Sequence, residues 1–165
     1  MLTQIINLVL LTFLPFLELR YSIPIGILSG TMKLPFGYSI TAYAMPWWIV
    51  FITCVIANII LAVILYFLID GIVKLLCKIK VINKLWKWKV QSVQKKIHPY
   101  IEKYGELGLA VFIGIPLPGS GVYTGCIAAY VLGMKFKHFL IASIIGVLIA
   151  AVIVTLLTVG INGLL

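Results

Sequence analysis

Two stretches of this chain are uninterrupted apolar runs, free of charge, over more than the ~20 residues a helix needs to cross a bilayer. One is PWWIVFITCVIANIILAVILYFLI, Pro46 to Ile69, and the other is FLIASIIGVLIAAVIVTLLTVGI, Phe139 to Ile161. A segment in hydrocarbon must satisfy its own backbone hydrogen bonds, so both read as transmembrane helices. Pro46 suits a first helical turn, and Trp47 and Trp48 suit the water interface. Composition agrees, with 63% hydrophobic and only 10% charged residues. At 165 residues the chain is one membrane domain, with room for roughly four to six passes or partial passes. Its start, Met1-Leu-Thr-Gln, lacks the basic region and cleavage pattern of a signal peptide, so the first apolar run is kept in the mature fold.

The other apolar material is interrupted. Residues 3 to 32 break at Glu18 to Pro24, and residues 107 to 133 break at PLPGSG, Pro116 to Gly121. Each half is short for a span and suits a half-helix or one leg of a re-entrant hairpin. Between the two parts, Asp70 to Glu106 holds nine of the thirteen basic residues. Its apolar positions Ile72, Leu75, Ile79, Ile82, Trp86, Val90, Val93 and Ile97 recur at helical spacing, with the lysines mostly off that stripe. This predicts an amphipathic helix on the cytoplasmic membrane surface. The net charge of +9 is then a topology signal and not a nucleic-acid footprint.

The two parts share a layout: apolar stretch, Pro/Gly break, short apolar stretch, a Met-Lys turn at Met32-Lys33 or Met134-Lys135, and a full span. With the basic linker inside, Met1, Lys33 and Leu165 fall outside and Lys135 inside, so the halves become inverted copies. The predicted fold is all-α, with two inverted repeats, each a broken or re-entrant helical hairpin followed by a transmembrane helix. Residues 1–69 form the first repeat, 70–106 the amphipathic linker and 107–165 the second repeat.

ELRYSIPIGI and IPLPGSGVYTG, with GMKF and the terminal apolar span, resemble the small multidrug export family, which is similar in layout to the wider DedA-like membrane proteins. The resemblance covers essentially the whole chain. It implies a multi-pass inner-membrane protein with two re-entrant segments, and DedA-like relatives imply proton-coupled movement of polyprenyl-phosphate or other phospholipid-type carriers. An acid commonly stands in or near each break of such proteins, whereas the second break here has none.

Ionisable residues inside a membrane are functional candidates. Glu18 is the candidate proton-coupling carboxylate. Arg20 and the amides of Gly119, Ser120 and Gly121 are a candidate anion cradle, because a helix N-terminus presents N–H groups and a positive dipole end. Tyr123, Thr124 and Ser120 add hydroxyls, while Pro24, Gly26, Pro116 and Pro118 shape the breaks. On a helix, residues two apart point to nearly opposite sides, so Glu18 and Arg20 face the same way only if the chain is extended there. Asn58, in mid-span, suits an interhelical hydrogen bond or a substrate ligand equally.

Cys54, Cys77 and Cys126 make no framework. His98 and His138 sit beside basic loops, where headgroups are the expected contacts. No nucleophile and base stand at catalytic spacing, so an enzyme is not expected, and neither is a cofactor or a metal. The expected function is proton-coupled translocation of an amphiphile with a phosphate head, with membrane lipids and protons as partners and a second copy of the chain as a further candidate. The alternatives are export of lipophilic cations, with Glu18 as counter-ion, and an uncoupled membrane-shaping or interaction protein.

Overall fold

The computed structural model describes residues 1–15, 17–33, 39–76, 105–116 and 120–162. Helix α1 is Leu2–Phe13, α2 is Glu18–Ile27 and α3 is Trp47–Leu76. Gly105–Gly114 forms α4, Val122–Val131 forms α5 and Phe136–Asn162 forms α6. The element order is therefore short helix, short helix, long helix, repeated once. The predicted linker helix lies outside the described residues between 77 and 104, but its first residues, 70–76, continue α3 beyond the expected end at Ile69.

Prolines set the first break, although not the proline expected. Leu14 precedes Pro15, whose ring disfavours a helical neighbour before it, and Leu14 is extended with φ −77° and ψ 129°. Pro24, by contrast, lies inside α2, and Ile23 before it stays helical. The break is thus at residues 14–17, and Glu18 is the first residue of a helix rather than part of an extended strip. Pro24 removes one amide donor from α2, which a membrane helix tolerates where neighbouring groups re-satisfy the freed carbonyl.

A short antiparallel hairpin is the one departure from helix among the described residues. Thr31–Lys33 (β1) pairs with Ser39–Thr41 (β2), Met32 facing Ile40. The chain then returns along the end of α2: the amides of Tyr43, Met45 and Ala44 donate to the carbonyls of Ile25, Gly26 and Leu28 at 2.8, 2.8 and 3.0 Å. Those carbonyls are the ones a helix end leaves unpaired, so the connection both closes α2 and sends α3 back antiparallel to it.

The two long helices pack against each other, and each short inner helix, α2 or α5, touches both of them. Phe139, Ala142, Val147, Ala150 and Ala151 of α6 are buried, as are Val50, Cys54, Leu61 and Ala62 of α3. Glycine allows the closest approach: a Cβ on Gly26 would lie 2.5 Å from Val50 Cγ1, and one on Gly146 would lie 2.7 Å from the Ala110 carbonyl oxygen. Near the other end of α3, Tyr66 stacks on Phe139 with centroids 5.2 Å apart and donates to the Met134 carbonyl at 2.9 Å. Gly133, with φ +65°, makes that turn after α5.

The outward faces are as apolar as the inward ones. Ile52, Ile56, Ile60 and Ile64 form an exposed stripe on α3, and Leu148, Ile149, Val152 and Leu156 one on α6. Such bands suit hydrocarbon and not water. Trp47–Ile69 and Phe136–Gly160 are the two described segments long and apolar enough to cross a membrane.

Candidate functional site

The site forms where the two breaks meet. Glu18 opens α2, is 7% exposed, and has the left-handed φ of +44°. A non-glycine residue in that region costs free energy, and here it turns the carboxyl group away from its own helix toward α5. Oε2 accepts from the Val122 amide at 3.4 Å and Oε1 from the Tyr123 amide at 3.3 Å. Those amides belong to the first turn of α5, where no intrahelical acceptor exists and the dipole is positive. The anion at this helix N-terminus is therefore the protein's own carboxylate, donated across more than 100 residues of sequence.

Gly121 makes that approach possible. Its backbone is extended, with φ 162° and ψ −170°, so no left-handed geometry demands glycine. The demand is steric, because a Cβ there would lie 2.8 Å from Glu18 Oε1 and 2.9 Å from its Cδ.

Arg20, half-buried on the same helix, serves the other end of the second break. Its Nη2 donates to the Ile115 carbonyl at 3.3 Å and to Ser120 Oγ at 3.0 Å, and Ser120 Oγ itself donates to the Ile115 carbonyl at 2.6 Å. Ile115 follows α4, so the cation sits at that helix's negative end, the placement the dipole favours. Two charges two residues apart thus diverge, as a helix requires, and each meets the helix end of opposite sign.

The first break is closed from the opposite side. The Tyr123 hydroxyl donates to the Phe13 carbonyl, the last of α1. Thr12, fully buried, lies 2.8 Å from both the Leu8 carbonyl and Ser22 Oγ, and Ser22 donates to the Glu18 carbonyl at 2.6 Å. Each break is therefore capped by a side chain that opens the other hairpin's inner helix.

Of the residues singled out in the sequence, Glu18, Arg20, Ser120, Gly121 and Tyr123 come together here. Thr124 donates to the Gly121 carbonyl at 3.2 Å and steadies the α5 turn. Pro116 follows the Ile115 acceptor in chain order. Pro118 and Gly119 lie outside the described residues. The anion-facing amides are those of Val122 and Tyr123, later than the 119–121 expected, because α5 starts only after Gly121. Gly26 packs on Val50, toward the other end of α2, and Pro24 lies between it and the site. His138 pairs with Glu106, whereas His98 is outside the described residues. No group of three or more His, Cys, Asp or Glu that could hold a metal occurs among the described residues.

Thr12, Ser22, and the carbonyls of Phe13 and Ile115 were not anticipated. The hydroxyls were visible as lone polar residues in apolar runs; the carbonyls carry no sequence signal.

The model of the family described as Putative small multi-drug export protein matches residues 18–153, beginning at Glu18 just after the first break and taking in the second. No curated protein and no solved structure matches the chain. The chain belongs to that family, and with its two membrane-length helices it is a membrane protein of the small multidrug export type.

Proposed function

We propose that this member of the small multidrug export family is a proton-coupled transporter of an amphiphile with a phosphate head, of the polyprenyl-phosphate or phospholipid class, in the inner membrane. One observation carries the reading: a helix N-terminus inside the apolar body already holds an anion, and that anion is the titratable carboxylate of Glu18. Protonation removes the charge that the α5 amides prefer, so a phosphate oxygen can take its place, with Arg20 as the second contact. Return of the carboxylate expels the ligand, and proton and substrate exchange at one place.

The architecture proposed with it is an inverted repeat of two broken hairpins. Its support is the repeated short-short-long helix order, the reciprocal capping of the breaks, and the packing of α2 and α5 each on both long helices. The alternative, export of lipophilic cations, needs Glu18 as counter-ion. Glu18 is engaged by α5 instead, which favours the anionic substrate.

Reconstituted vesicles test this with two probes, a fluorescent short-chain polyprenyl phosphate and tetraphenylphosphonium. A pH gradient is expected to drive the phosphate in the native protein, and Glu18→Gln is expected to abolish the response. Gradient-driven movement of the cation alone, lost in Glu18→Gln, would overturn the phosphate reading and favour the export of cations.

A further inference from the structure

Asn58 is fully buried in the middle of α3, and neither its Nδ2 nor its Oδ1 has a partner among the described residues. The same holds for the hydroxyls of Ser143 and Thr155 on α6. A helix hydroxyl, however, can turn to the carbonyl four residues back, as Thr12 and Thr158 do here. A two-ended amide cannot satisfy both ends that way. Buried polar groups are almost always paired, so Asn58 calls for a partner that can both donate and accept.

The register of α2 and α3 says which group that is. The helices are antiparallel, with Gly26 against Val50. One turn further, Ser22 of α2 and Cys54 of α3 both meet Thr12. Each step moves four residues back on α2 and four forward on α3, about 6 Å along the axes. The next step pairs Glu18 with Asn58.

We infer that Asn58 is the second station of the Glu18 side chain, receiving it in the protonated form when it leaves the α5 N-terminus. The inference rests on the proton-coupled reading above and supplies its missing half. A carboxylic acid and a primary amide are complementary: the acid O–H donates to Oδ1, and Nδ2–H donates to the acid carbonyl. Both orphan atoms are satisfied at once. A carboxylate offers no proton to Oδ1, whereas the α5 amides offer donors alone. The two stations therefore sort the protonation states of one side chain. The proton comes from water, is held on a carboxyl oxygen at Asn58, and is released when Glu18 returns to α5.

The ionisable surroundings are few. Arg20 and Tyr21 share the helix, Tyr123 faces Glu18 from α5 with Cys126 further along that helix, and α3 contributes Cys54. Helix α1 contains no ionisable side chain, and those of α6, Lys137 and His138, stand on its exposed first turn.

The test is infrared difference spectroscopy, acidic minus neutral, on the full chain in vesicles, comparing native protein with Glu18→Gln, Asn58→Leu and Asn58→Ala. The carbonyl band of a protonated acid that is missing in Glu18→Gln belongs to Glu18. We expect that band to shift to higher wavenumber in both Asn58 variants, as an acid carbonyl does on losing its hydrogen bond. The neutral-pH melting temperature should be unchanged or raised, since Asn58 makes no bond in that state. A Glu18 band at the same position in both variants, or a lowered neutral melting temperature in both, overturns the role of Asn58 and leaves proton coupling standing. Absence of any Glu18 band on acidification overturns both.

Discussion

Replacing Gly121 by alanine isolates the contact between the two breaks. The extended backbone at 121 accepts an L residue without strain, and the three atoms nearest the added Cβ all belong to the Glu18 carboxyl group. Ordinary contact starts at 3.4 Å, and the added carbon would lie 2.8 Å from Oε1 and closer still to Oε2, so the carboxyl is obliged to move by about an ångström. Its bonds to Val122 and Tyr123, at 3.4 and 3.3 Å, are already long and do not survive that shift. Hydrogen bonds to charged groups contribute about 1.5–3 kcal/mol each. Taking the low end for two long bonds, Gly121→Ala should cost about 3 kcal/mol. The control is Glu18→Ala, which removes the obstructing atoms together with the bonds. Added to Glu18→Ala, Gly121→Ala should be nearly neutral, giving a coupling of about 2–3 kcal/mol in a double-mutant cycle. Unfolding in mixed micelles titrated with denaturing detergent measures all four corners. Equal costs for Gly121→Ala with and without Glu18 would refute the claim that glycine is there to admit the carboxylate.

Gly26→Ala drives a methyl group into Val50 and should cost about 1–3 kcal/mol by the same unfolding assay; adding Val50→Ala should restore most of it. Exchanging the charges, Glu18→Arg with Arg20→Glu, keeps composition and net charge but sets each charge against a helix end of its own sign. Charges at partly buried helix ends are worth up to ~2 kcal/mol each, so this pair should unfold more readily than Glu18→Gln with Arg20→Gln; equal stability would remove the dipole argument. Cysteine labelling from each side of intact cells should find Lys33 outside and Lys135 and the linker inside. Lys33 on the linker's side would sink the inverted repeat.

The long helices and the second break were legible because hydrophobic run length and Pro-Gly clustering act locally. The first break was misplaced because it holds two prolines, and a sequence does not say which one a membrane helix absorbs. Pro15 ends α1 by driving Leu14 extended, while Pro24 rides inside α2. The pairing of Thr31–Lys33 with Ser39–Thr41 is not legible either, since three-residue strands leave little alternation to read. For the site, residue types were readable and partners were not. That Glu18 is the anion for α5 depends on a fold that joins positions 104 and 105 residues apart. Residues two apart on a helix diverge, which argues against a Glu18–Arg20 pair. In the fold that divergence is the use made of them, one charge for each side of the opposite break.

Cross-capping bears directly on coupling. Drawing α5 away from α2 uncovers the Val122 and Tyr123 amides and the Glu18 carboxylate in one movement, and each is costly to leave unpaired in an apolar body. A proton alone neutralises Glu18 but leaves the amides without an acceptor. An anionic headgroup alone satisfies the amides but leaves a bare carboxylate beside it, like charge against like. On the proposed reading acid alone shifts the Glu18 side chain, but only proton and headgroup together make separation of α2 and α5 affordable, and the helices part for neither alone. The tightness of coupling then follows from the same bonds that hold the resting fold, and weakening them by Gly121→Ala should raise uncoupled proton leak in vesicles even where transport persists.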